Sequence, residues 1–444
     1  MNTCERDALL SDHGVAPRRA ALAILTAVHQ GASLDASLAT ALAPLAGADR
    51  RLAHEIAVGV LRHSEPLDHL LAPFVPRGIK ALPPALLDVL RIGAYQLRML
   101  DRVPAHAAVA TGVSLAREVA GDHVSGFANA VLRRVTALPK GDTAHDDVDD
   151  VARLSARWSH PAWLVARWIG HFGVESAERL LRANNSRPPL ILQAARGDLL
   201  DLAEQFDDAG VANKPAPFGA GLMLASGRPD HLPGYNDGDF FVQDPAQAMV
   251  VRFADFDPDA VVVDACAAPG GKTLGLARQT TATVVAADLS KRRLLRLGEN
   301  IARAGRGNER MIVADAMAPP VREVYAYLLD APCLGTGTFG RHPDARLRVH
   351  PETLFELVAL QAALLDAAAS RIAPGGVLCY ATCSLEPEEN EAQVNAFLRR
   401  HETFERQPTA VIPAELTTAA GDLQTLPQRD GIDGAYAARL VRVA

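Results

Sequence analysis

A chain of 444 residues that is 49% hydrophobic can bury more than one core, and its length favours two or three domains over a single unit. The net charge of −7 speaks mildly against a polyanionic partner, an objection weakened by residues 1–140, which carry slightly more Lys and Arg than Asp and Glu. Five cysteines without a disulfide-like framework or a CxxC spacing, and no leader or bilayer-length apolar run, point to a reducing cytoplasmic setting with no metal site and no membrane.

Residues 17–138 read as helices throughout. APRRAALAILTAVHQ, LDASLATALAPL, DRRLAHEIAVGVLRHS, PPALLDVLRIGAYQLRML, PAHAAVATGVSLAREV and HVSGFANAVLRRVTAL repeat apolar residues at three- and four-residue intervals. The spacing predicts an all-α bundle over 1–141. An acidic stretch over 142–152, with Asp142, Asp146, Asp147, Asp149 and Asp150, should be a solvated linker. Residues 153–235 open with Trp158, Trp163 and Trp168, a spacing that suits one packed helix, then alternate strand-like LILQAA, helical DLLDLAEQFDDAG and strand-like GLMLAS. A small α/β module is expected there.

From 236 to 444 the pattern changes. AVVVDAC, TVVAADL, RMIVAD, AYLLDAP and GVLCYATC are strand candidates, separated by helical stretches such as GKTLGLARQ and SKRRLLRLGENIARAG. Such alternation indicates a parallel, Rossmann-like α/β sheet, which binds ligands beyond the carboxyl ends of its strands.

Each strand candidate ends in residues capable of chemistry. The first leads into Cys266, Ala267, Ala268, Pro269, Gly270, Gly271 and Lys272, where a glycine pair lets backbone approach a ligand and a helix N-terminus offers N–H groups. A tight turn without a ligand is the plain alternative. Lys272 opposes the helix dipole in the first turn, so a carboxylate should answer it. Asp288 either receives the ribose hydroxyls of a nucleoside or caps the helix beginning at Ser290, and Asp315 either reaches an adenine amino group or is a surface acid. The fourth and fifth strands deliver Asp330, Cys333 and Cys383. Cys379, inside its strand, reads as a small hydrophobe, whereas Cys383 stands at the strand end. Glu386, Glu388, Glu389 and Glu391 follow, and are expected to complement a helix N-terminus and face solvent. Activation of the thiol is left to the bound substrate or to a basic residue, with Lys272, Arg341 and His342 as candidates.

With these motifs in hand, the chain resembles the RsmB/Sun family of bacterial small-subunit rRNA cytosine-5 methyltransferases over nearly its whole length. RIGAYQLRMLDRVPAHAAVATGVSLAR and GFANAVLRRV are similar to that family's NusB-like RNA-binding domain, and FVQDPAQAM, DACAAPGGKT, DAPCLGTGTFGRHPDARLR and YATCSLEPEENE follow its catalytic motifs in order. Leu334 stands where a serine is usual, FGRHPD has one arginine fewer, and LILQAARGD lacks the usual ending. The resemblance implies a class I methyltransferase domain with a mostly parallel seven-stranded sheet, S-adenosylmethionine as cofactor and 16S rRNA as partner of a monomeric enzyme. Cys266 through Lys272, Asp288, Asp315 and Asp330 would then surround the cofactor. Cys383 would add to carbon 6 of cytosine, making carbon 5 nucleophilic, with Asp330 holding the base and Cys333 assisting release.

Rival classes fare worse. A noncatalytic RNA binder leaves the strand-end cysteines without purpose, a nicotinamide oxidoreductase would carry GxGxxG and not AAPGGK, and a small-molecule methyltransferase would not need residues 1–235. A tRNA cytosine-5 enzyme keeps the reaction and changes the substrate, and only the N-terminal bundle speaks for rRNA.

Overall fold

The computed structural model describes residues 3–139, 149–225 and 227–443. Most of the expected linker, including Asp142, Asp146 and Asp147, therefore lies outside the described residues, while Asp149 caps the next helix through the N–H of Ala152. The chain divides into two compact units: Met1–Asn185 with His342–Leu347, and Ser186–Arg341 with Arg348–Ala444.

The first unit is helical: α1 (Thr3–His29), α2 (Leu34–Ala41), α3 (Gly47–Arg62), α4 (Ser64–Leu71), α5 (Pro84–Met99), α6 (Ala105–Ala120), α7 (Ser125–Ala137), α8 (Asp150–Trp158), α9 (Ala162–Phe172) and α10 (Val174–Asn185). The apolar periodicity pays out as a core built on Ile24, Leu25, Ile56, Leu90, Leu115 and Leu132, all fully buried or nearly so. Glycine sets the closest approaches. A Cβ on Gly59 of α3 would fall 2.0 Å from the Tyr95 ring of α5, and one on Gly93 of α5 would fall 2.6 Å from Leu132 of α7. The three tryptophans do not share one helix: Trp158 closes α8, and Trp163 and Trp168 lie on α9. Ser159, with φ +54°, and Pro161, which lacks an N–H, break the helix between them.

The second unit begins with a small antiparallel sheet ordered β2-β3-β1-β4 from β1 (Leu190–Ala194), β2 (Lys214–Pro215), β3 (Leu222–Leu224) and β4 (Phe240–Val242). Helix α11 (Leu199–Asp208) starts on a reciprocal capping box between Asp198 and Asp201.

The main sheet follows, with α12 (Pro245–Ala254), β5 (Val262–Ala265), α13 (Gly271–Gln279), β6 (Val284–Asp288), α14 (Lys291–Ala304), β7 (Glu309–Val313), β8 (Val324–Asp330), α15 (Pro351–Ala369), β9 (Ile372–Thr382), α16 (Glu391–Arg400), β10 (Phe404–Arg406), β11 (Leu423–Thr425), α17 (Pro427–Asp430) and β12 (Ala435–Arg442). Seven strands form the continuous path β10-β12-β9-β8-β5-β6-β7, and an eighth, β11, pairs with β12. From β9 to β7 every pairing is parallel, whereas β12 runs antiparallel to β9. Side chains alternate between faces as the pleat requires. Val262, Ala326 and Leu328 pack with Met249, Phe253 and Leu276 of α12 and α13, while Val263, Tyr327 and Leu329 pack with Leu364 and Leu365 of α15 and Phe397 of α16. Parallel register brings the carboxyl ends of β5, β6, β8 and β9 to one edge.

Candidate active site

The donor side is built from the turn after β5. Cys266 takes a left-handed conformation (φ +62°), and the turn is pinned from β6 by Ala267 N–H to Ala287 O (3.0 Å) and Ala268 N–H to Asp288 Oδ2 (3.2 Å). Asn300 of α14 donates to Pro269 O (3.0 Å). Gly270, with φ +109°, leaves no room for a side chain, because a Cβ there would lie 2.2 Å from Leu297 Cδ1. This loop is a fixed cradle of backbone held by two neighbouring elements.

Asp288 is almost fully buried at the end of β6. Besides Ala268 it accepts the Ser290 N–H (2.8 Å) and the Arg293 guanidinium (2.9 Å), while the cap of α14 comes from the Ser290 hydroxyl. Asp315 lies elsewhere in character: it is exposed, two residues past β7, and accepts the Met317 N–H (2.9 Å). Beneath the turn, Asp264 is wholly buried and receives the Thr273 hydroxyl (2.5 Å). Burial raises the Cys266 thiol to about 12, and Asp330, Asp288 and Asp264 add to the shift.

The acid expected to answer Lys272 is Asp330, whose Oδ2 lies 2.8 Å from Nζ. Burial works against the ammonium charge, but Asp330 first, and then Cys383 and Asp264, more than offset it, so its pKa is raised. Lys272 is therefore a fixed cation that senses charge on Cys383. Of the other basic candidates, Arg341 is committed to Asp433 (3.0 Å) and Asp244 (2.6 Å), and His342 belongs to the first unit.

The two strand-end cysteines meet. Cys333 Sγ and Cys383 Sγ are 3.3 Å apart, and the Cys383 N–H points at Cys333 Sγ (3.3 Å). The Cys333 pKa is pushed well up, first by its hydrogen bond with Cys383, then by burial, by charge on Cys383 and by Glu389. Cys333 is held as a thiol, and either sulfur of the pair can donate to the other. Gly335 lies beside Cys383 in a left-handed conformation (φ +69°) that favours glycine. Cys379 is fully buried, with its thiol raised to about 12 by burial.

Two of the four glutamates correct the expectation of a solvated face, while Glu391 is exposed in the first turn of α16 as expected. Glu386 and Glu389 are completely buried. Glu389 accepts the Leu334 N–H (3.0 Å) and the Gln361 amide (2.9 Å), and thereby fastens the chain directly after Cys333. The strand-end loop has a buried N–H that must find an acceptor, and the acid supplies it. From sequence Glu389 reads as solvated and Gln361 is not singled out; the apolar and polar residues interleaved in SLEPEENEAQ are the one trace of their burial.

The 16S rRNA methyltransferase RsmB/F family model matches residues 252–441, the NusB family matches 15–137, and the ferredoxin-like domain of RsmF/B-like methyltransferases matches 160–229. Ribosomal RNA small subunit methyltransferase B of Pseudomonas putida is 35% identical, over 96% of this chain and 99% of its own length. Its Salmonella arizonae counterpart is 34% identical over 95% and 97%. The chain belongs to the RsmB/F methyltransferase family. Among solved structures, PH0851 matches with a TM-score of 0.80 at 25% identity, over 95% of this chain and 98% of that one. NSun6 from Pyrococcus horikoshii, solved with SFG, shares the fold at 20% identity (TM-score 0.58, 64% of this chain and 98% of that one). The RsmB/F domain holds all seven strands of the main path, and the NusB match falls within the helices α1 to α7. Among the described residues no helix is long and apolar enough to cross a membrane, and no cluster of His, Cys, Asp and Glu could hold a metal ion.

Proposed function

We propose that this RsmB/F methyltransferase transfers a methyl group from S-adenosylmethionine to carbon 5 of a cytosine in small-subunit rRNA, in the cytoplasm, with Cys383 as covalent nucleophile. On this reading residues 1–141 dock RNA, 142–152 link, 153–235 connect, and 236–444 carry the chemistry of a monomeric enzyme. The single observation that carries it is the 3.3 Å pair of Cys333 and Cys383 beside the Lys272–Asp330 ion pair. Methylation of a ring nitrogen or an oxygen has no use for a thiol at that place.

The residues fit the cofactor. Gly270 and Gly271 present bare backbone at the start of α13, and the buried Asp288 carboxylate retains acceptor capacity on Oδ2, which takes only the Ala268 N–H. When bound there, S-adenosylmethionine supplies an electrophilic methyl group. Cys266 to Lys272 and Asp288 would hold it, Asp330 would stand between it and the base, and Asp315 would be the acid offered to its adenine.

The protein's own part is to make carbon 5 nucleophilic. Lys272 and the Cys333 thiol stabilise negative charge on Cys383, whose sulfur bonds to carbon 6 of the ring. Asp330, fixed by Lys272, accepts from the exocyclic amine and holds N3 through a proton shared between carboxyl and ring nitrogen as electron density moves through the ring. After methylation, transfer of the carbon 5 proton to solvent leaves its electron pair to re-form the 5,6 double bond as the carbon–sulfur bond breaks, and the Cys333 S–H steadies the departing thiolate.

RNA containing 5-fluorocytosine tests this, because fluorine cannot leave as a proton and the adduct persists. A band resistant to denaturing electrophoresis is expected with the wild-type protein and none with Cys383→Ser; Cys333→Ala should accumulate an adduct on ordinary RNA. Full methylation by Cys383→Ser would remove the proposed nucleophile. Bisulfite mapping of RNA from a deletion strain tests the substrate: loss of a tRNA mark with rRNA unchanged would overturn the rRNA assignment.

A further inference from the structure

The loop after β8 meets the end of β9 through side chains, with Leu385 N–H donating to Thr336 Oγ1 (2.8 Å), and through main chain. Gly337 N–H donates to the Cys383 carbonyl (2.9 Å), and Gly434 N–H donates to the Gly337 carbonyl (2.8 Å). The two glycines lie back to back, since a Cβ on Gly337 would come within 2.6 Å of Gly434 O. Thus the segments carrying Cys383, Gly337 and Gly434 form one hydrogen-bonded stack. What holds the stack at its outer side is ionic. Arg341 Nε donates to Asp433 Oδ2 (3.0 Å) and Arg341 Nη2 to Asp244 Oδ2 (2.6 Å), while Asp244 Oδ1 accepts both the Asp433 N–H (3.1 Å) and the first turn of α12 at Ala246 (2.9 Å). Three segments far apart in sequence are tied at one guanidinium, which is geometrically suited to join two carboxylates.

We propose that Arg341 and Asp433 are positioning residues: with Asp244 they lock the Gly335–Arg341 loop against the Cys383 carbonyl and so hold the Cys383 sulfur in its reactive place. The proposal rests on Cys383 being the nucleophile. None of the three charged groups belongs to the donor cradle, so their effect falls on the thiol step and not on the cofactor. A displacement of about 1 Å at a reacting atom is enough to cost roughly a hundredfold in rate.

The cluster also has a titration of its own. Burial raises the Asp433 carboxyl, to about 7; Asp244 raises it further and Arg341 opposes. These are the charged groups that face it, from the entry to α12 and from the loop after β8; on its own segment Arg429 is taken by Asp430, and Thr425 of β11 donates only to the Asp433 main-chain carbonyl. Below the Asp433 pKa the lock loses one of its two anions, and the wild type comes to resemble Asp433→Asn.

The rate of adduct formation with 5-fluorocytosine RNA, measured beside S-adenosylmethionine affinity, tests the proposal in the full-length protein. Asp433→Asn should slow the adduct about 10- to 100-fold near pH 8 with cofactor affinity within about twofold of wild type, and the rate ratio should shrink toward one near pH 6. Thiol ionisation, common to both proteins, cancels in that ratio. Arg341→Lys, which keeps the charge and loses the two-armed geometry, should slow the adduct by about tenfold, again without change in cofactor affinity. Wild-type rates in both variants overturn the proposal alone. Parallel loss of rate and cofactor affinity in both also overturns it, by showing a merely structural role. No adduct with the wild-type protein sinks the Cys383 reading and this proposal with it.

Discussion

Asp264 shows how a single residue in the site trades stability for placement. Burial raises its carboxyl to about 7; the Thr273 hydroxyl and Lys272 pull it down, while Asp330 and Asp288 push it up. Its Oδ1 has no hydrogen-bond partner among the described residues. In the unfolded chain the same group titrates near pH ~4. Between that value and about 7 the unfolded state releases a proton that the native state keeps, so the native state loses stability as pH rises through this window and levels off above it. Asp264→Asn abolishes this dependence. Relative to wild type, the variant should therefore gain a few kcal/mol between about pH 5 and about pH 8, at ~1.4 kcal/mol per pH unit of window crossed. Urea unfolding at the two values checks it, and an equal difference at both would show that Asp264 is ionised in the native protein.

At the level of elements, the turn from β5 into α13 and the packing of α14 on it decide whether a cofactor fits. Gly270→Ala combines a left-handed backbone (φ +109°) with a Cβ 2.2 Å from Leu297 Cδ1, so either the turn or α14 must move. We expect a loss of about 1–3 kcal/mol in stability and roughly tenfold or more in S-adenosylmethionine affinity, read by thermal melting and calorimetry. The parallel strands β5, β6, β8 and β9 were legible because strands buried on both faces are short apolar runs, and β7 was legible from the same apolar character although it is a largely exposed edge strand. The antiparallel strand β12 was not. Its sequence AYAARLVR is rich in Ala, Arg and Leu, which favour helices, and it becomes a strand only because β9 offers it an edge. Short α4, β2 and β4 escaped for a related reason: they are too brief to show a period. In the site, strand-end placement made Cys383, Asp330 and Cys333 readable, since they end or closely follow apolar runs, and Lys272 was readable as a cation in the first turn of α13. The partners of Arg341 were not readable, for Asp433 is 92 residues away and Asp244 is 97. Nor were the glutamates, because charge in a sequence implies solvent until a buried N–H is found that needs it.

For the molecule as a whole, the net charge of −7 leaves RNA attachment to local concentrations of basic side chains. Helix α7 exposes Arg133 and Arg134, the latter stacked over the Phe74 ring at 5.9 Å. Replacing both by Glu should weaken RNA binding by about tenfold or more and flatten the logarithmic salt dependence by about one to two units, without altering cofactor affinity. Filter binding across a salt series measures both, and an unchanged slope would move the RNA contact elsewhere.

The two sides of the catalytic edge also differ in how far along the chain they must reach. On the donor side, Thr273 meets Asp264 across 9 residues and Ala268 meets Asp288 across 20. On the acceptor side, Cys333 meets Cys383 across 50 and Asp433 meets Asp244 across 189. Short loops close sooner and at lower entropy cost than long ones. On the proposed mechanism, the donor turn is therefore expected to order before the thiol pair, so a half-folded chain is not yet poised to form the covalent bond.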